Sequence, residues 1–216
     1  MKKIFTLVIG VLFISAALFA QKTDKELKAE LKSKASKEAK KEAKTLTKQG
    51  WKTMPGELPL EKMVERAWMK QVAEDDNGVP IYIIADGNGV AESKTVAEAQ
   101  ALEFAKLQLA GTIESNIASM VKTNIGNEQL STEDATSVTG IVQSSKNIIA
   151  QQMGYINPAY KLYRDLPEKK IEVQIRVFYE VKQSVAIAKK AIRQELKEKL
   201  KKTDEEVDKL LQEPSK

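Results

Sequence analysis

Histidine and cysteine are both absent from the 216 residues. That leaves hydroxyls, ammonium groups and carboxylates as the side chains able to do chemistry. Without histidine there is no Ser-His-Asp triad and no imidazole ligand for zinc. Without cysteine there is no disulfide, no thiolate and no Cys-His pair. Ser93, Ser144 and Ser145 lack their usual base, and Ser145 and its neighbour Lys146 would point different ways on a helix. Residues 73–78 (AEDDNG) and 203–208 (TDEEVD) are acidic clusters with the oxygen ligands calcium prefers. Neither has the D-x-[DN]-x-[DN]-G loop with a following Glu, so they read as a turn and a helix start. A pair of carboxylates working as acid and base stays conceivable, but no such pair stands out. The chain is therefore expected to be no enzyme, with no catalytic, cofactor or metal site.

The stretch closest to a phosphate loop is DGNGVAESKT, residues 86–95. Aligning Lys94 and Thr95 to the end of G-x-x-x-x-G-K-[ST] puts Asn88 and Ser93 where the two glycines belong. As G-x-G-x-x-G it starts at Gly87 and Gly89 but carries Glu92 at the sixth position, where a carboxylate repels a pyrophosphate. The plain reading is a turn. Gly87, Asn88 and Gly89 tolerate positive φ and turn the chain out of a strand, while Thr95 caps a helix, with Glu98 completing a capping box.

These residues need elements to hold them. Residues 23–48 lack Gly and Pro, are rich in Lys, Glu and Ala, and predict a helix whose alanine stripe buries little. Gly50 ends it. Pro59 opens a second helix, with Leu60, Met63, Val64, Ala67, Trp68 and Val72 on one face. Residues 79–86 are apolar on both faces and read as a central, covered strand. Residues 96–123 form the clearest helix. Ser131 or Thr132 caps the next segment; residues 135–152 favour helix, with strand as the alternative. Residues 155–182 predict a hairpin, because Ile171, Val173, Ile175, Val177, Tyr179 and Val181 alternate with Glu172, Gln174, Arg176, Phe178 and Glu180. Helix returns over 183–201, and Thr203 with Glu206 forms a capping box before a short tail helix.

Strands segregated from helices in this way predict an α+β fold: a small antiparallel or mixed sheet, helices packed on one face, and an N-terminal helical extension. The expected divisions are residues 1–20 as signal peptide, 21–49 as basic extension, 50–201 as α+β domain and 202–216 as charged helical tail. If the domain holds a ligand or partner, Trp68, Tyr82, Tyr160 and Phe178 are the side chains expected to touch it. Phe178 draws attention because it lies among charged residues on the face opposite Tyr179.

Lys2 and Lys3, an apolar run from Ile4 to about Ala17 and small residues near Ala20 have the layout of a cleaved secretory leader. The run is shorter than the ~20 residues of a spanning helix. With no cysteine to carry lipid, the expected location is periplasmic or secreted, without stable membrane insertion. The net charge of +5 is uneven, because residues 22–48 hold ten Lys against five Asp and Glu. A solvated linker helix is one reading of that segment; contact with an envelope protein or cell-wall component is another. Its lack of aromatics argues against nucleic acid.

The stretch YIIADGNGVAESKTVAEAQALEFAKLQLAGTI, followed later by YRDLPEKKIEVQIRVFYEV, resembles the LPP-type bacterial surface lipoproteins and the N-terminal domain of the flagellar T-ring assembly protein. The likeness runs over about residues 80–182 and is one of pattern. It implies strand, turn, alanine-rich helix and closing hairpin. The lipid-attachment cysteine of those lipoproteins is missing here, and the resemblance carries over no catalytic residue. Together these readings lead to an exported, non-enzymatic envelope protein that binds a protein or envelope component. The alternative is a periplasmic carrier or sensor of a small ligand, with a pocket between sheet and helices.

Overall fold

The computed structural model describes residues 24–128 and 130–212; the expected leader lies outside them. In chain order the elements are α1 (Asp24–Lys48), β1 (Lys52–Thr53), α2 (Leu60–Gln71), β2 (Tyr82–Ala91), α3 (Lys94–Asn127), α4 (Thr132–Gln143), α5 (Lys146–Gln152), β3 (Pro158–Asp165), β4 (Ile171–Glu180), α6 (Val181–Leu200) and α7 (Asp204–Leu211). The fold is α+β, as the segregated elements predict. The four strands pair antiparallel in the order β1-β3-β4-β2. Among the described residues no helix is long and apolar enough to cross a membrane.

Period-two alternation sorts the sheet into two faces. Val173, Ile175 and Val177 of β4 and Ala85 of β2 point into the main core, which α3 to α7 complete. Tyr160, Leu162 and Phe178 point the other way, into a second cluster with Trp51, Met63, Val64 and Ala67. Helices therefore cover both faces, where the sequence suggested one. The second layer is α1 on α2. Ala35, Ala39, Ala43 and Leu46 of α1 are buried, because small side chains let the two helix backbones approach. The Ser36 hydroxyl adds a 2.6 Å hydrogen bond to Glu65 of α2.

The glycines of β2 have a different job from the expected turn. Gly87 and Gly89 lie within the strand and face α3. A Cβ built on Gly87 would sit 1.9 Å from the Ala101 carbonyl oxygen, and one on Gly89 would sit 2.1 Å from that of Ala97. Ala97, Ala101 and Ala105 are fully buried there. The chain bends only at Glu92 and Ser93. Ser93 precedes α3 without a side-chain cap, so the box expected from Thr95 and Glu98 is not formed; Glu98 instead accepts Lys161 Nζ at 3.0 Å. Nor is β2 central. It ends the sheet, and its apolar character reflects cover on its two faces, by α3 on one and by α2 near Tyr82 on the other.

Residues 132–152 are helical, with Ser131 accepting the Asp134 amide as a cap. Thr203 and Glu206 form the predicted capping box. The tail helix is more deeply placed than its charge suggests, since Val207, Leu210 and Leu211 join the main core. Buried Asn124 of α3 donates to the Leu210 and Gln212 carbonyls at 2.9 and 2.8 Å, satisfying acceptors that the end of α7 leaves open.

Candidate functional site

Trp68, Tyr82, Tyr160 and Phe178, 110 positions apart at the extremes, come together on the second face of the sheet. Tyr82 and Phe178 meet edge to face with centroids 5.9 Å apart, and Lys70 Nζ lies 5.3 Å from one ring and 5.7 Å from the other. Tyr160 is fully buried. All four belong to a packed cluster, and Trp51 anchors its rim beneath the Arg164 guanidinium at 4.6 Å.

Three residues that sequence reasoning passed over organise this face. Arg176 stands at the middle of β4 and grips Asp86, its register partner on β2, through two hydrogen bonds of 2.7 and 3.0 Å. Its guanidinium also lies 3.4 Å from Glu42 of α1 and 5.2 Å from the Tyr160 ring. Glu42 accepts from Trp68 Nε1 and, at 3.4 Å, from the Tyr160 hydroxyl. One carboxylate thus ties α1 to α2, β3 and β4.

The electrostatics suit a fixed tie. Burial alone would ease the proton off Arg176, but the Asp86 hydrogen bonds and charge more than offset it, so the guanidinium is held above its ordinary value. Burial pushes the Tyr160 phenol up as well, despite the nearby Arg176 charge. Both groups keep their protons throughout the physiological range. The arrangement holds charge in place between α1 and the sheet.

The remaining candidates find local explanations. Lys94, the lysine of the apparent phosphate loop, rests its ammonium 3.4 Å from the Tyr163 ring centroid. Ser145 is buried and donates to the Val142 carbonyl at 2.6 Å; Ser144 donates to that of Ile141. Asp75 accepts the amides of Asn77 and Val79 and shapes its own turn.

Among the described residues, a groove and a charged helix face stand out on the surface. A groove of about 290 Å³ runs between α3 and the segment before β3, lined by Ala99, Leu102, Glu103, Lys106, Gly154, Tyr155 and Ile156. α1 exposes Lys32, Lys34, Lys37, Lys40, Lys41, Lys44 and Lys48, and by helical spacing Lys34, Lys37, Lys41, Lys44 and Lys48 share the face opposite the buried alanines. Of the carboxylates in that stretch, Glu42 turns inward to Arg176 and Glu38 pairs with Lys41.

The class defined by fold and site is an α+β domain with a four-stranded antiparallel sheet between two helical layers. No family model matches the chain, and neither does any curated protein or solved structure.

Proposed function

We propose that the chain is an exported, non-enzymatic envelope protein that uses α1 to bind an anionic envelope component. The observation that carries this reading is the lysine face of α1. Its inner stripe is spent on α2 and the sheet, its glutamates at 38 and 42 are engaged, and seven lysines face solvent. A row of like charges on a helix already docked against the body attracts a polyanionic surface without paying for ordering the helix at contact. Export rests on the leader pattern of residues 1–20, which the resemblance to surface lipoproteins accompanies.

The test is co-sedimentation of the mature protein with anionic phospholipid vesicles and, separately, with cell-wall sacculi. Each lysine near an anionic lipid surface contributes about 1 kcal/mol. Reversing Lys34, Lys37, Lys41 and Lys44 to Glu should therefore weaken binding at least about a hundredfold while leaving the melting transition in place. Unchanged binding by the reversed variant would end the proposal.

The small-ligand reading loses its expected pocket between sheet and helices, where Trp68, Tyr82, Tyr160 and Phe178 pack against one another, and keeps one observation in its favour, the groove beside Tyr155, whose volume is close to the ~300 Å³ at which ligand sites begin. An apolar fluorescent probe displaced by Leu102→Glu would support it; no binding of such a probe would remove it.

A further inference from the structure

The two edges of the sheet are treated differently. β1 is two residues long, and its Lys52 is paired with Asp165 at 2.8 Å. Short, charged edges of this kind resist pairing with other chains. β2 is ten residues long, pairs with β4 at all ten positions without a bulge, and contains no proline or lysine. Its one charge, Asp86, is neutralised by Arg176.

The orientation of its backbone can be read from two hydrogen bonds. The Ile81 carbonyl accepts the Val181 amide, so odd-numbered residues of this segment face β4. The Asp86 amide instead donates to the side chain of Gln108, at 3.2 Å, on the outer side. By the alternation of an antiparallel ladder, the amides and carbonyls of Ile84, Asn88 and Val90 also point outward. Asp86, Asn88 and Val90 are exposed in turn. Beside this edge α3 displays Phe104, one turn before Gln108 and on the same side of the helix, with 60% of its surface exposed. It occupies the position where a helix would cover a fifth strand.

We propose that β2 is a strand-addition site for an extended peptide segment of a partner protein. The segment would take the outward backbone groups of residues 84–90 as hydrogen-bond partners. Its alternate apolar side chains would lie over Phe104. Gln108 holds the Asp86 amide until a partner carbonyl replaces it. A second copy of this chain is a poor occupant. α3 lies directly against β2 at Gly87 and Gly89, so strand-to-strand pairing of two copies would put their α3 helices under strands about 4.8 Å apart, whereas packed helices need about 8–10 Å. A bare extended segment brings no helix with it.

The probe is a synthetic decapeptide with the sequence of β4, IEVQIRVFYE, whose alternation matches the demand. A peptide of the same composition with the alternation scrambled is the control. Amide exchange is followed by NMR on the mature chain. The β4 peptide should slow exchange at Ile84, Asn88 and Val90 by about tenfold or more. Amides at Ile83, Ala85 and Gly87, already bonded to β4, should change little. Val90→Pro, which removes one outward donor, and exposed Phe104→Lys should each abolish the effect, while the α1 lysine reversals leave it intact. The proposal is overturned if millimolar β4 peptide slows none of these amides, if the scrambled peptide slows them equally, or if the chain alone dimerises in a manner that Phe104→Lys prevents.

Discussion

Arg176 is the residue on which the second face of the sheet turns. It neutralises Asp86 and Glu42 and lies against Tyr160, and its side chain is largely withdrawn from water. Arg176→Ala would take the guanidinium from both carboxylates and loosen the tie of α1 to β4. We expect a loss of about 1–3 kcal/mol in urea unfolding; Asp86→Asn, on the more exposed partner, should cost less. A second expectation concerns acid. The carboxylate of Glu206 is held below the usual range by the backbone amide and hydroxyl of Thr203, and that of Asp204 by Lys197. For groups depressed on folding, the stabilisation is present above their unfolded values near 4 and is lost as pH falls through the lower folded ones. Amides of α7 should therefore lose protection, relative to their intrinsic exchange rates, as pH drops below about 4, ahead of those in β4. The Thr203 box and the Ser131 cap were legible in the sequence because their partners lie three residues apart. The tie between Glu42 and Arg176 was not, because it spans 134 positions and depends on strand register.

The contact of β2 with α3 shows how a correct motif can receive a wrong role. Gly87 and Gly89 stood out, and a glycine pair after a strand suggests a turn. The alanines that explain them, Ala97, Ala101 and Ala105, are spaced by four along α3; what the sequence did not reveal was that this face meets those glycines. Backbone lies on backbone there, so Gly87→Ala and Gly89→Ala must push a helix from a strand. Each should lower stability by about 1–3 kcal/mol or more. Gly140, inside α4, is the contrast: a Cβ there meets nothing within 4 Å. Gly140→Ala should raise stability by about 0.5–1 kcal/mol. Thermal melts of the three variants side by side check both signs. Strand β4 was the easiest element to read, because one of its faces is wholly apolar. Strand β2 was misplaced at the centre because a strand covered on both faces looks alike in sequence whether or not it has a neighbour on each side.

The two helical layers are built differently. The main core of α3 to α7 and the sheet contains the long aliphatic side chains and sets the fold. The α1–α2 layer is held by alanines, aromatic rings and a few polar ties, and its outer surface carries the lysines. The sequence disclosed the charge of α1 and its helicity; its docking depended on the Glu42 and Ser36 contacts with distant partners. On this account, α1 is a fixed basic ridge on a filled body, and function follows from that ridge. The most direct measurement is the affinity of the mature protein for anionic envelope material across a salt series. The ridge predicts that affinity falls steeply as salt rises and the Debye length shrinks from roughly 10 Å at 0.1 M to about 3 Å at 1 M, and that the four-lysine reversal weakens binding at low salt at least about a hundredfold. Binding that ignores salt, or that the reversal leaves unchanged, would contradict it.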